Sequence, residues 1–230
     1  MKHSVRHLCA ALLAGAVSLP AAAHYLWLEA GDNNEARLYF GEYQEGLREK
    51  SPGPLDNILN PVVWQSTVGG GRMPLPLIKR ADHIAVVAVG LPVLMERAGG
   101  RVIDMSKHGG QGKVRNMVYA RLDVPGSGSA PALALDLLPV EGSPERIRVV
   151  LNGAPLPKTK VSVYAPNGWS RELYSDAQGE LRIAAPWAGT YVLQLTHTQP
   201  QNGEIGGETY EALRHGTTLS LKFAQPLAVK

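Results

Sequence analysis

The sequence predicts an all-β protein built from two β-sandwich-like domains. Two observations lead to this prediction. The 230 residues include 25 glycines and 17 prolines, which is a large number of helix-breaking residues. Short apolar segments that alternate with polar residues are separated by turn signals every 8–12 residues or so, a spacing typical of β-sandwiches. The C-terminal half contains no segment with a helical period.

Residues 1–23 are predicted to be a secretory signal peptide that lies outside the fold. Lys2 and Arg6 form a positive n-region, residues 8–17 are apolar, and the alanines at 21–23 provide a cleavage site after Ala23. The apolar stretch is too short to span a bilayer, and no later segment approaches about 20 apolar residues. An uncleaved membrane anchor is the alternative. We therefore expect a periplasmic protein with no integral membrane segment after cleavage.

Cleavage after Ala23 changes the charge and the cysteine content of the chain. The full sequence has 23 basic and 20 acidic side chains, and the loss of Lys2 and Arg6 leaves 21 against 20, so the net charge falls from +3 to +1. A nucleic-acid partner therefore has no electrostatic support. The single cysteine, Cys9, leaves with the same segment, so the mature chain forms no disulfide.

The first predicted domain, residues 24–142, is expected to be immunoglobulin-like. Residues 42–60 form a polar loop with one short helix, and Gly142-Ser143-Pro144 interrupts the strand pattern at the domain boundary. The strands are predicted at residues 25–29, 36–40, 62–68, 84–89, 114–122 and 132–139.

The second predicted domain, residues 143–230, has the clearest strand pattern. Asn152-Gly153 and Pro166-Asn167-Gly168 are turn signals between its alternating segments. The strands are predicted at residues 146–151, 160–164, 180–183, 190–197 and 217–223.

Both ends of the predicted mature chain resemble a known family. Residues 23–29, Ala-His-Tyr-Leu-Trp-Leu-Glu, are similar to the Ala-His-x-Phe-Trp-Leu-Glu opening of an uncharacterised bacterial periplasmic family, which is labelled the periplasmic component of a cobalt/nickel-type transport system. Residues 150–157, 175–179 and 186–191 are similar to prealbumin-like (transthyretin-like) β-sandwich modules. Tyr25 departs from the family pattern, and residues 42–113 match it weakly.

The end of the chain carries the same resemblance. The family has a histidine after its Gly-x-Tyr strand and then a Tyr-x-x-x-Arg-x-x-x-Thr-Leu segment, which correspond here to His197 and residues 210–219. The resemblance implies a prealbumin-like C-terminal sandwich. It also implies a metal-binding role, in which the partner is an inner-membrane metal transporter.

His24 is the first candidate metal ligand. If cleavage follows Ala23, its α-amine and its imidazole can chelate one ion together, because an α-amine competes less strongly with protons than a lysine does. A second histidine would complete a histidine brace, which suits copper and also accepts nickel or cobalt. The alternative is that cleavage happens to leave a histidine there and that Trp27 and Leu28 are ordinary core residues.

His197 and His215 are the other candidate ligands. Side chains alternate along a strand, so His197 lies on the face of Leu193 and Leu195. If its strand pairs antiparallel with the last strand across the 198–214 loop, the Cβ atoms of His197 and His215 come within about 4.5–5.5 Å, which suits one ion. The alternative is that one histidine caps a strand and the other faces water.

The leading functional prediction is a non-enzymatic protein that binds nickel, cobalt or copper through His24, His197 and His215 and delivers it to an uptake system. The sequence contains no Gly-x-Ser-x-Gly, no His-Glu-x-x-His and, once processed, no cysteine nucleophile, so no catalytic residue is assigned. Two other classes remain open. One is an interaction module that binds a peptide, a glycan or a membrane protein through exposed aromatics such as Trp169 and Trp187. The other is a copper histidine-brace oxidative enzyme.

Overall fold

The fold is described from a computed structural model of the chain. The structure describes residues 24–67, 69–88, 90–108, 110 and 112–227. The predicted signal peptide at residues 1–23 lies outside the described residues. Within them the protein is all-β, with 17 strands and two short 3-10 helices. The prediction of an all-β protein is confirmed.

The strands are short in the first half of the chain and long at its end. In the part of the chain that the structure describes, no helix is long and apolar enough to cross a membrane. The 3-10 helices span Pro54–Asn57 and Met105–His108. The strands are β1 (Tyr25–Ala30), β2 (Glu35–Glu42), β3 (Leu47–Arg48), β4 (Val62–Ser66), β5 (Arg72–Pro74), β6 (Leu77–Lys79), β7 (Ile84–Val87), β8 (Val93–Asp104), β9 (Lys113–Asp123), β10 (Leu135–Val140), β11 (Ser143–Leu151), β12 (Ala154–Pro155), β13 (Lys160–Tyr164), β14 (Ser170–Tyr174), β15 (Glu180–Arg182), β16 (Gly189–Ile205) and β17 (Glu208–Phe223).

These strands form three sheets. The central sheet has eight strands in the order β14-β13-β16-β17-β9-β8-β4-β5, and its β17–β9 pairing is parallel. A five-stranded sheet has the order β1-β2-β7-β6, with β3 added beside β2. A four-stranded sheet contains β10-β11-β12, with β15 added beside β11.

The central sheet is covered on both faces. Tyr119 of β9 belongs to a buried cluster with Leu137 of the four-stranded sheet. Its neighbour Ala120 belongs to a second buried cluster with Leu28 of the five-stranded sheet. Because successive side chains of a strand point to opposite faces, one small sheet packs on each side of the central sheet.

The predicted domain boundary between residues 142 and 143 falls in the turn of the β10–β11 hairpin. Four strands of the central sheet, β4, β5, β8 and β9, precede this position, and four, β13, β14, β16 and β17, follow it. The parallel β17–β9 ladder joins the two groups from Ala212↔Val114 to Leu221↔Asp123. Strands from both sides of the predicted boundary therefore share one sheet.

The last two long strands pair antiparallel, which is the condition under which His197 and His215 were expected to approach each other. β16 and β17 pair from Gly189↔Phe223 to Ile205↔Glu208. Residues 198–214, predicted as a loop, belong mostly to these strands, so that part of the prediction is wrong. The connection is the pair Gly206-Gly207, whose φ angles of 59° and 80° suit a tight hairpin turn that favours glycine.

Candidate functional site

The β1–β2 hairpin determines the position of His24. His24 lies one residue before β1, which is an edge strand of the five-stranded sheet. The hairpin pairs Tyr25 with Gly41, so the same register continued by one residue sets His24 opposite Glu42. The His24 ring packs on the ring of Phe40, with 5.2 Å between centroids and a tilt of 56°. This contact holds the imidazole over the sheet.

Two glutamates contact the two ring nitrogens of His24. Nε2 lies 2.5 Å from Oε1 of Glu49, and Nδ1 lies 3.3 Å from Oε1 of Glu42. The side chains of Glu42 and Glu49 are mostly buried, with 11% and 18% of their surface exposed, and 28% of the His24 side chain is exposed. The histidine is therefore flanked by two carboxylates at the rim of the sheet.

Gly41 allows Glu49 to approach the histidine. Its φ of 144° lies in a region that side chains rarely adopt, and a Cβ at this position would overlap the carbonyl oxygen of Leu47 in β3. The close contact between β2 and β3 also includes a hydrogen bond from the Glu49 amide to the Phe40 carbonyl, with an N–O distance of 2.8 Å. The glycine therefore determines how near Glu49 comes to His24.

The two carboxylates have different relations to the ring. At 2.5 Å, Glu49 is placed to accept a hydrogen bond from Nε2 of the imidazole, and Nδ1 faces Glu42. In the tautomer with its proton on Nε2, the Nδ1 lone pair is directed toward Glu42. Oε1 of Glu42 is buried and has no hydrogen-bond partner, although Nδ1 is only 3.3 Å away. A lone pair beside a buried carboxylate oxygen is unfavourable unless a proton or a cation lies between them.

His197 and His215 are neighbours on two paired strands. They are directly opposite each other in the β16–β17 ladder. His215 is buried, with 2% of its surface exposed, and its ring stacks on Tyr119 at 13° with 3.1 Å between Nδ1 and the tyrosine hydroxyl. Nε2 of His215 is buried without a hydrogen-bond partner.

Burial lowers the pKa of His215, and the neighbouring His197 lowers it further. The lowered pKa favours the neutral imidazole, which is the form that binds a metal ion. Burial also raises the pKa of Tyr119 to about 12, so its hydroxyl stays protonated.

His24 and the two paired histidines have different surroundings. His215 contacts Tyr119, which belongs to the core between the central and four-stranded sheets, and alternation sets His197 on the same face as Leu195 of that core. His24 projects with Leu26 and Phe40 toward the other face of the central sheet. Among the residues that the structure describes, no three His, Cys, Asp or Glu side chains form a group arranged to hold a metal ion. The shared site of His24, His197 and His215 stays a prediction.

Sequence reasoning missed Glu42 and Glu49. The position of Glu42 could have been predicted from the turn at residues 31–34. This turn determines the hairpin register, and the register sets residue 42 opposite residue 24. Glu49 depends on the two-residue strand β3, which is too short to show a pattern.

Comparison with protein-family models, with curated proteins and with solved structures gives no match. The likeness at the two ends of the chain therefore stays a resemblance.

Proposed function

We propose that this protein binds one divalent first-row transition-metal ion at His24 and delivers it to an uptake system in the inner membrane. The observation that carries the proposal is the unpartnered Oε1 of Glu42, which lies 3.3 Å from Nδ1 of His24. Two ligand atoms that each bond a metal at about 2.0–2.2 Å lie roughly 3.0–3.4 Å from one another. Nδ1 and Oε1 are therefore spaced as two ligands of the same ion would be.

Glu49 has the supporting role in this proposal. A metal-binding histidine commonly donates its other ring N–H to a carboxylate, which fixes the tautomer and makes the ligating nitrogen more basic. The 2.5 Å contact between Nε2 and Glu49 supplies such a partner. If cleavage follows Ala23, the α-amine of His24 adds a third ligand beside Nδ1.

The donor set restricts the choice of metal. Imidazole, amine and carboxylate suit nickel, cobalt and divalent copper, whereas monovalent copper prefers sulfur ligands. For a given site of this kind the affinity rises from cobalt to nickel to copper. An oxidative copper enzyme would need a second histidine beside His24, and the glutamates found there favour a binding role.

The finer parts of the proposal come from the sequence. They are export to the periplasm after cleavage at Ala23, an immunoglobulin-like part at residues 24–142 and a prealbumin-like part at residues 143–230. The sequence also predicts His197 and His215 as further ligands of this ion, and two observations support them as neighbouring nitrogen ligands: their register in the ladder, and Nε2 of His215, which is buried without a hydrogen-bond partner.

The test is a metal titration of protein that begins with His24. Wild-type protein should bind one equivalent of nickel tightly, and His24→Ala should lose that equivalent. An extra alanine placed before His24 should weaken binding because it removes the free amine. His83→Ala is the matched control and should bind as wild type. Unchanged binding by His24→Ala would overturn the proposal.

A second candidate function rests on Trp169 and Trp187. Each has 38% of its surface exposed, and their rings form a tilted pair with 5.8 Å between centroids. Exposed aromatic pairs of this kind are typical of binding surfaces for glycans and peptides. A protein that binds no metal but loses binding to a glycan or peptide in Trp169→Ala would favour this interaction module.

A further inference from the structure

Residues 73–78 form an exposed apolar segment at one edge of the molecule. Their sequence, Met-Pro-Leu-Pro-Leu-Ile, contains no polar side chain, and only Leu75 is buried. Met73, Leu77 and Ile78 have 38%, 36% and 42% of their surface exposed. A run of consecutive exposed apolar residues is unfavourable in water unless a partner covers it. The 73–78 segment is therefore a candidate docking surface.

Two sheets hold the backbone of this segment in place. β5 is the edge strand of the central sheet and β6 is an edge strand of the five-stranded sheet, so the segment crosses from one sheet to the other. Leu75 anchors the crossing, because it belongs to a buried cluster with Val63 and its amide donates to the Val63 carbonyl at 2.9 Å. Val87, 46% exposed, extends the apolar surface, since its amide donates to the Pro76 carbonyl at 3.1 Å.

Two prolines disfavour a β-strand of another protein as the partner. An exposed sheet edge can pair with such a strand through its free backbone N–H and C=O groups. Pro74 in β5 and Pro76 between the two strands have no N–H, and β5 and β6 contain only three residues each. The partner of this edge therefore contacts the side chains and not the backbone.

Basic side chains flank the segment on both sides. Arg72 precedes it, Lys79 and Arg80 follow it, and no acidic residue lies between them in the sequence. Arg72 lies 3.3 Å from Glu96 and Lys79 lies 2.7 Å from Asp56, but both basic side chains are about half exposed, so these surface pairs contribute little. Among the described residues Arg80 is exposed and has no carboxylate partner. Phosphate groups of a lipid surface match these cations.

We propose that the 73–78 segment docks on a bilayer that contains anionic phospholipid. Met73, Leu77 and Ile78 enter the boundary between the headgroups and the acyl chains, and Lys79 and Arg80 bind lipid phosphates. The protein then lies on the membrane without spanning it.

This inference goes beyond metal binding and does not depend on it. β1, which follows His24, is the edge strand of the five-stranded sheet opposite to β6. A bilayer docked at β6 therefore leaves the surroundings of His24 accessible.

The test is co-sedimentation of metal-free protein that begins with His24 with lipid vesicles. The vesicles contain either phosphatidylcholine alone or equal parts of phosphatidylcholine and phosphatidylglycerol. Wild-type protein should bind the anionic vesicles at least about tenfold more tightly, because each basic side chain gains from the negative surface. Added salt should weaken this binding, because it screens the attraction to the phosphates.

Three variants locate the contact. Leu77→Ser combined with Ile78→Ser should weaken binding about tenfold, because two apolar side chains no longer enter the lipid. Arg80→Gln changes an exposed side chain and should weaken binding about fivefold without disturbing the fold. Val124→Ser is the matched control, because Val124 has 49% of its surface exposed and lies outside the segment, and it should bind as wild type.

Insertion of the segment itself can be measured directly, because the predicted mature chain has no cysteine. An environment-sensitive fluorophore attached to Ile78→Cys should shift its emission to shorter wavelength when anionic vesicles are added. The same label on Val124→Cys should show no shift.

Four results would overturn the proposal. They are no binding to anionic vesicles, equal binding to both vesicle types, unchanged binding by both the Leu77/Ile78 double variant and Arg80→Gln, and a lipid-free dimer that the double variant loses. The last result would show that a second copy of the chain covers the segment. Because no metal is present, vesicle binding by a protein that fails to bind nickel would uphold this surface and refute only the metal proposal.

Discussion

Arg121 of β9 and Asp136 of β10 form a buried two-point ion pair that links the central sheet to the four-stranded sheet. Nε and Nη2 of the arginine lie 2.9 and 2.6 Å from the two carboxylate oxygens. The same carboxylate accepts three backbone N–H groups, and Asp123 accepts Nη1 of the arginine at 3.0 Å. The guanidinium is therefore held between two buried carboxylates, of which Asp136 makes the two-point contact.

Removing one partner of this pair should destabilise the protein strongly. Asp136→Asn should lower the free energy of unfolding by about 3 kcal/mol, because the buried guanidinium keeps Asp123 but loses the charge of its two-point partner. Replacing both residues together, as in Arg121→Met with Asp136→Leu, should cost less than the two single changes added. Urea denaturation of Asp136→Asn, of Arg121→Met, of Asp136→Leu and of the double variant measures these differences.

The exposed pair of Lys160 and Glu172, 2.8 Å apart, supplies the control. Glu172→Gln should change the stability little, because solvent screens a surface pair. If Asp136→Asn were as mild as Glu172→Gln, the buried pair would not link the two sheets as described.

The long C-terminal hairpin could be predicted because its residues alternate. Leu193 and Leu195 share a face with His197, which the alternation predicts, and the antiparallel pairing of the two strands then sets His197 opposite His215. Strand β8 was missed for the opposite reason. Val93, Leu94 and Met95 are all buried, because a central strand between two packed sheets is apolar on both faces and shows no period of two.

The parallel pairing of β17 with β9 could not be predicted from local pattern. Ala212 pairs with Val114 across about 100 residues of chain, and nothing in either segment specifies that partner.

For the site, His24 was predicted and its glutamates were not. The register of the β1–β2 hairpin positions Glu42 beside His24. Glu49 is positioned by the pairing of β3 with β2, and β3 contains only Leu47 and Arg48, which is too short for a recognisable pattern.

Thr217 and Thr218 should respond in opposite ways to the same substitution. The hydroxyl of Thr218 donates to the carbonyl oxygen of Leu26 at 2.8 Å, which links β17 to β1. The hydroxyl of Thr217 is buried and has no partner. Thr218→Val should lower the free energy of unfolding by about 1–3 kcal/mol, whereas Thr217→Val should be neutral or stabilising.

Thermal and urea denaturation of the two variants measure this difference, and each serves as the control for the other. A similar loss in both would show that the contact of Thr218 with Leu26 contributes nothing specific.

His215 should make the protein less stable in mild acid. Burial, followed by the effect of His197, lowers its pKa in the folded protein below the usual value of about 6.5. As pH falls below about 6.5, the unfolded chain takes up a proton that the folded chain resists, so the free energy of unfolding declines toward the lower folded pKa. At pH above 6.5 the imidazole is neutral in both states and has no such effect.

His215→Gln should remove this part of the pH dependence even if it lowers the stability at every pH. Urea denaturation at several pH values between 5 and 8 gives the slope for each protein. Equal slopes for wild type and His215→Gln would refute the role of this histidine.

Glu42 and Glu49 should contribute to nickel binding by different amounts. We place Glu42 on the metal and Glu49 on the far ring nitrogen of His24, 2.5 Å from Nε2. Glu49→Gln should therefore weaken nickel about 10- to 100-fold, as loss of a supporting carboxylate commonly does. Glu42→Gln should weaken it more, since a ligand is lost. Glu29→Gln, in the same sheet but bonded to Trp27 and Arg48, is the control and should leave affinity unchanged. A larger loss in Glu49→Gln than in Glu42→Gln would reverse the two assignments, because the metal would then bind on the Nε2 side of the ring.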